Sequence, residues 1–222
     1  SETDYLAVFV DGKKVGHAKM TRTVEPPSGE YPEGRVTTSQ LLRMTVGRAG
    51  LVLSVHQAET CVETPHGRPL AFESEQRIGA LGRKIQGVID PAGTVSLTIT
   101  SGPEPQRQTM DWPAGALMSE GLRLKTLGHG LKQGTRITAK VFEASSLSAV
   151  DITAEVGPKV EVDLLGRVVR LTEVRMTMNA ASGTITGTSY VDENDDPLKT
   201  VIPAMGMTLE LIACTEQFAL SK

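Results

Sequence analysis

The chain has 222 residues, 39% of them hydrophobic and 22% charged. This composition excludes a disordered or collagen-like chain and leaves room for one large domain or two small ones. Its 23 basic and 26 acidic residues are interspersed and leave a net charge of −3, which argues against a nucleic-acid binder held by phosphate contacts. Aromatic residues make up only 4%, too few for a base-stacking platform, so the core must rest on Val, Leu, Ile and Met.

The chain opens at Ser1-Glu2-Thr3-Asp4 and enters a strand-like run almost at once. That opening fits a mature chain whose export signal has been removed, and equally a cytoplasmic protein. Asp11-Gly12 between Tyr5–Val10 and Lys13–Met20 signals a hairpin. Glu25–Gly34, with three prolines and two glycines, reads as a surface loop. In Val36–Val46 the residues Val36, Leu42, Met44 and Val46 share one face, with Thr37, Ser39, Arg43 and Thr45 opposite. Pro65-His66-Gly67-Arg68-Pro69 and Asp90-Pro91-Ala92-Gly93 are turns, and Val95, Leu97 and Ile99 alternate with hydroxyl residues beyond them.

The run from Trp112 to Leu127 departs from period two. Pro113 suits a first helical turn, and Leu117, Gly121 and Leu124 share a face. The spacing predicts one principal helix over residues 114–127. Alternation then resumes in Val150–Val156, Val160–Leu164 and Met207–Leu211, with turns at Asn179–Gly183 and Asp192–Pro197. Strands that are apolar on one side suit an antiparallel sheet with one wet face. The expectation is a mainly β protein: a large twisted antiparallel sheet, half-barrel-like, carrying one helix. It is read as a single domain over 1–222, with a subdivision near residue 112 as the alternative. No apolar run approaches the ~18 residues of a membrane helix.

Chemistry is scarce. Cys61 and Cys214 lie in strand-like contexts, away from any helix N-terminus that would activate a thiolate. They are either two separate thiols or one long-range bridge in an exported protein. His17, His56, His66 and His129 stand at no metal-ligand spacing. Asp192-Glu193-Asn194-Asp195-Asp196-Pro197 begins like a calcium loop, but Pro197 and Pro203 occupy the positions that need Gly and Glu. It reads as a hairpin turn. No catalytic residue, metal site or cofactor is expected. A long sheet with one covering helix leaves apolar face over, and Met118, Leu122, Met205 and Met207 are the candidates for lining an apolar groove.

Five stretches together suggest a family. They are Tyr5–His17, Glu63–Glu73, Gly115–Leu124, Val162–Arg167, and Ser189–Glu193 with Leu198–Thr200 and Met205–Leu211. In this order the chain resembles the β-rich region that precedes the catalytic domain in bacterial exported transglutaminase-like proteins. The resemblance implies a periplasmic or secreted, non-catalytic accessory domain, whose partner is a downstream catalytic domain of the same polypeptide. No residue here matches that domain's Cys, His and Asp. The alternative is a periplasmic carrier or sensor that binds an apolar ligand in the concave face of its sheet; an apolar ligand or an envelope protein is the expected partner outside the polypeptide.

Overall fold

A computed structural model describes residues 1–48, 50–180, 183–204 and 206–221. The fold is dominated by strands. They are β1 (Glu2–Val10), β2 (Lys13–Glu25), β3 (Arg35–Arg48), β4 (Leu51–Glu63), β5 (Pro69–Ile78), β6 (Leu81–Ile89), β7 (Thr94–Thr100), β8 (Gln106–Asp111) and β9 (Ala116–Leu117). After helix α1 (Ser119–His129) come β10 (Arg136–Glu143), β11 (Ser148–Leu164), β12 (Arg167–Ala180), β13 (Gly183–Val191), β14 (Pro197–Ala204) and β15 (Met207–Cys214), then the short helix α2 (Glu216–Leu220).

The strands hydrogen-bond in the linear order β8-β7-β6-β5-β4-β3-β2-β1-β15-β14-β13-β12-β11-β10-β9. Its end strands are not joined, so the sheet is not closed into a barrel. The pairings from β3 to β8 and from β11 through β15 to β1 are antiparallel. The expected mainly antiparallel β architecture therefore holds.

Turn chemistry explains the hairpins. Asp11 and Gly12 both take positive φ, 48° and 77°, as a tight two-residue turn of the primed type requires. Asp11 also reaches across to Thr208: its Oδ1 accepts from the Thr208 N–H at 2.9 Å, and its own N–H donates to the Thr208 carbonyl at 3.0 Å. In the Asp192 turn, Asp192 Oδ1 accepts from the backbone N–H groups of Asn194 and Asp196, so this carboxylate closes its own turn.

The helix starts later than its spacing predicts, at Ser119 and not near 114, and runs to His129. Gly115 takes φ 73°, outside the helical region, and the Ala116 N–H bonds back to the Pro113 carbonyl. Residues 113–116 are thus a turn, and Ala116–Leu117 continue as a strand. The second helix, α2, was not expected. Thr215 caps it, its hydroxyl accepting from the Phe218 N–H at 3.2 Å.

Contacts cluster into two units. The first holds residues 1–3, 19–124 and 141–149, and the second holds 4–18, 125–140 and 150–222. The first is built around Cys61, Phe72, Ile85, Val95, Leu97, Met118 and Phe142. Its few aromatics concentrate there: the Phe142 ring lies 4.9 Å from Phe72 and 4.4 Å from Trp112, tilted in both cases. Phe72 also fills the space above Gly87, where an added Cβ would fall 2.3 Å from the ring. The second unit has two aliphatic clusters, one of Ile137, Ala154, Val174 and Val191, the other of Val162, Leu164, Leu171 and Ile212.

Candidate functional site: a buried carboxylate pair at the start of α1

The most charged interior position lies in the first unit. Glu63 is the last residue of β4 and Glu120 the second of α1. Glu63 is fully buried, and Glu120 is 2% exposed. Two buried acids would be costly unless each negative charge were answered.

Each is answered differently. Glu63 Oε2 accepts from the Glu120 N–H at 2.6 Å, and Oε1 from the Gly121 N–H at 2.9 Å. These are free N–H groups of the first helical turn, so Glu63 caps α1 from 57 positions away. Burial still dominates at Glu63 and pushes its carboxyl above the ordinary value, with the neighbouring Glu120 adding to the effect. At Glu120 burial acts in the same upward direction but is outweighed. Arg22 donates to it through Nε and Nη2, both at 2.9 Å, and Arg123 through Nη2 at 2.7 Å and Nε at 3.0 Å. Two guanidinium forks on one carboxylate hold it down at about 2.

The backbone closes tightly around this pair. The turn after Glu63 is bonded internally, Thr64 N–H to the Arg68 carbonyl and Gly67 N–H to the Thr64 carbonyl, both at 2.9 Å. It presses Gly67 against the helix. A Cβ on Gly67 would lie 2.5 Å from the Gly121 Cα, and one on Gly121 would lie 3.0 Å from the Gly67 carbonyl oxygen. Only glycine permits this approach, and Gly67 also sits at φ 77°.

Chemically the arrangement is a clamp. Among the described residues no buried side-chain nitrogen or oxygen lacks a hydrogen-bond partner. The same residues include no group of three or more His, Cys, Asp or Glu that could hold a metal ion. Beside the clamp, Cys61 points into the core. Burial, with Glu59 adding to it, pushes its thiol up to about 12, opposite to the activation a nucleophile needs. Its Sγ lies 3.6 Å from Glu59 Oε1.

The structure separates the residues singled out from sequence. Cys61 and Cys214 are both free thiols in this structure. Cys61 is buried opposite Phe72 in the first unit, whereas Cys214 lies on β15 opposite Tyr5 in the second. Met118 is 2% exposed and belongs to the core, not to a groove. Its position just before α1 turns it into the Phe72–Phe142 cluster. Leu122 in the first unit and Met207 in the second are half-buried. Met205 lies outside the described residues. A cleft of about 430 Å³ does exist in the second unit, but Arg136, Glu155, Arg175, Thr177, Thr186 and Thr188 make it polar, and Met118, Leu122 and Met207 do not line it.

Sequence reasoning missed Glu63, Glu120 and Arg22. Glu120 and Arg123 have the spacing of an ordinary solvated helix pair, and nothing local marks Glu63 as a cap. The one signal present was Gly67 and Gly121 within two of the five resembling stretches; Gly121 in particular stands inside a helix, where no turn or helix end demands it.

The fold defines a class: a strand-dominated protein whose described residues form a single long open sheet and two short helices. Neither a family model nor a curated protein matches the chain. Among solved structures it is similar to a β-barrel-like protein of the domain of unknown function DUF1849 from Brucella abortus. The two share 11% identity at a TM-score of 0.64, over 96% of this chain and 95% of that one. At that identity the likeness concerns the fold alone.

Proposed function

We propose that the chain is a non-catalytic accessory and interaction domain of an exported bacterial transglutaminase-like protein. One observation carries the reading: four of the five stretches that resemble that family are bonded to one another, or within themselves, across long sequence gaps or strand pairs. Asp11 is bonded to Thr208. Glu63 and Gly67 meet Glu120 and Gly121. Ser189 and Tyr190 pair with Thr200 and Lys199, and the Ser189 and Thr200 hydroxyls are 2.9 Å apart. Motifs scattered along the sequence thus act as mutual supports, and Asp11 and Glu63 are occupied in holding the backbone. A scaffold under such constraints suits an element that presents or positions a partner.

The test begins with the gene. The reading is supported if the reading frame continues into a segment with Cys, His and Asp, and if removing residues 1–222 changes that segment's acyl-transfer or peptidase activity or its solubility. It fails if no such segment follows in frame, or if the purified chain itself hydrolyses or transfers acyl groups and loses that activity in Cys61→Ser or Glu63→Gln. Export is tested separately, by locating the full-length precursor in periplasmic and cytoplasmic fractions.

A further inference from the structure

The apolar face of the first unit's sheet continues beyond its core. In the β3–β4 and β5–β6 hairpins the register places Val46 opposite Leu53, Val55 opposite Ile78, and Ile78 opposite Leu81. Cross-strand partners and alternate residues share a face. Val46, Leu53, Val55, Ile78 and Leu81 therefore lie on one face, the same that carries Cys61, Phe72 and Ile85 deeper in the sheet. At the hairpin ends none of the described residues covers it: Leu53 is 47% exposed, Ile78 49% and Leu81 80%. On the opposite face of the same tip Val52 is 74% exposed. The β3–β4 tip is thus apolar on both faces and the β5–β6 tip on one, a costly exposure for surface turns.

The two tips lie side by side but end at different heights. The Gly79 N–H donates to the Ser54 carbonyl at 2.9 Å, so the β5–β6 turn stops level with Ser54. The β3–β4 ribbon runs on for three more residues, about 10 Å at the rise of a strand.

Charge completes the picture. From Val36 to Ala58 and from Gln76 to Ile89 the sequence holds Arg43, Arg48, Arg77, Arg83 and Lys84 and no Asp or Glu, in a chain whose net charge is −3. Arg77 and Lys84 pair with Glu75 and Glu73, farther back on β5. Arg83 donates to the Ser145 carbonyl and Arg43 to the His56 ring, acceptors that carry no negative charge. Arg77, Arg83 and Lys84 flank the β5–β6 turn, and Arg43 lies farther back along the shaft. An apolar tip about 10 Å long with cations behind it matches a surface whose apolar layer begins some 5–10 Å below a layer of negative charge.

We propose that the paired β3–β4 and β5–β6 hairpin tips form a docking surface for an anionic phospholipid bilayer. Val52, Leu53, Ile78 and Leu81 enter the headgroup–acyl boundary, and Arg43, Arg77, Arg83 and Lys84 lie among the lipid phosphates. The contact is shallow and peripheral. Lipid-facing backbone groups beyond the β5–β6 turn need water within reach, which the interface supplies and the hydrocarbon core does not. The proposal stands independently of any attached catalytic domain.

The experiment is vesicle flotation of the 222-residue chain with phosphatidylcholine alone and with phosphatidylcholine–phosphatidylglycerol mixtures. The wild type is expected to float with the mixed vesicles, far less with the neutral ones, and to be released by salt. Leu53→Ser and Leu81→Ser should each lower the partition about tenfold, with the thermal midpoint unchanged because both side chains are exposed. Arg43→Gln and Arg83→Gln should each lower it about fivefold. The proposal is overturned if the wild type ignores mixed vesicles, binds neutral ones equally, or binds with the same partition after both leucines are replaced. It is also overturned if sedimentation shows a dimer that Leu53→Ser and Leu81→Ser dissociate, since a second copy would then be the occupant.

Discussion

Glu120→Gln tests the clamp directly. The substitution keeps the size and hydrogen-bonding shape of the side chain but removes the charge that both Arg22 and Arg123 address at 2.7–3.0 Å. The native carboxyl titrates at about 2, against an ordinary value of 4.5. A lowered native pKa means that the unfolded chain binds the proton more tightly. The stabilisation is therefore complete above about pH 4.5 and is lost as pH falls towards 2. The full difference corresponds to about 3 kcal/mol, and roughly 2–3 kcal/mol after allowance for the partly exposed guanidinium groups. Loss of one partner from a buried pair is expected in the same range or somewhat above it. Urea unfolding at pH 7 should show the midpoint of Glu120→Gln lowered by about 1 M at unchanged slope. At pH 3 the two proteins should lie closer together, because the wild type has by then lost part of the contribution the variant never had. Equal midpoints at pH 7, or a gap that stays constant from pH 7 to pH 3, would refute the account of Glu120 as a doubly paired buried anion.

Other consequences are equally direct. Gly67→Ala should destabilise by roughly 3 kcal/mol or more, combining a left-handed backbone with the 2.5 Å approach to Gly121. Gly93→Ala, at φ 91° but with open space around it, should cost only about 1–2 kcal/mol; similar midpoints for the two would remove the close-packing argument. Phe72→Ala should cost about 3–5 kcal/mol in thermal or urea unfolding, because the ring anchors Phe142, Trp112 and the hollow at Gly87. In the native protein at pH 8, Cys61 should react with a thiol reagent only at the rate of unfolding, its thiol being buried and pushed up to about 12. Both thiols should titrate in denaturant, and rapid modification of native Cys61→Ser and Cys214→Ser variants alike would contradict its burial.

Period-two alternation sufficed to identify the strands in which it was read, since a half-buried strand must put its apolar residues on alternate positions whatever packs against them. Asp11-Gly12 sufficed for a hairpin, because its backbone requirements are local. Other features depend on partners distant in sequence. The start of α1 is set by a carboxylate 57 residues upstream, so Pro113 and the apolar spacing before it were misleading. Glu120 and Arg123 carry the pattern of a solvated pair, and only the arrival of Arg22 and the Gly67 turn makes Glu120 an interior anion. Leu53 and Val55 alternate along β4 as Val95, Leu97 and Ile99 do along β7, yet Leu53 is 47% exposed and the β7 residues are buried. Alternation reports which face of a strand is apolar; what covers that face is decided by tertiary packing, which leaves no periodic trace in the strand itself.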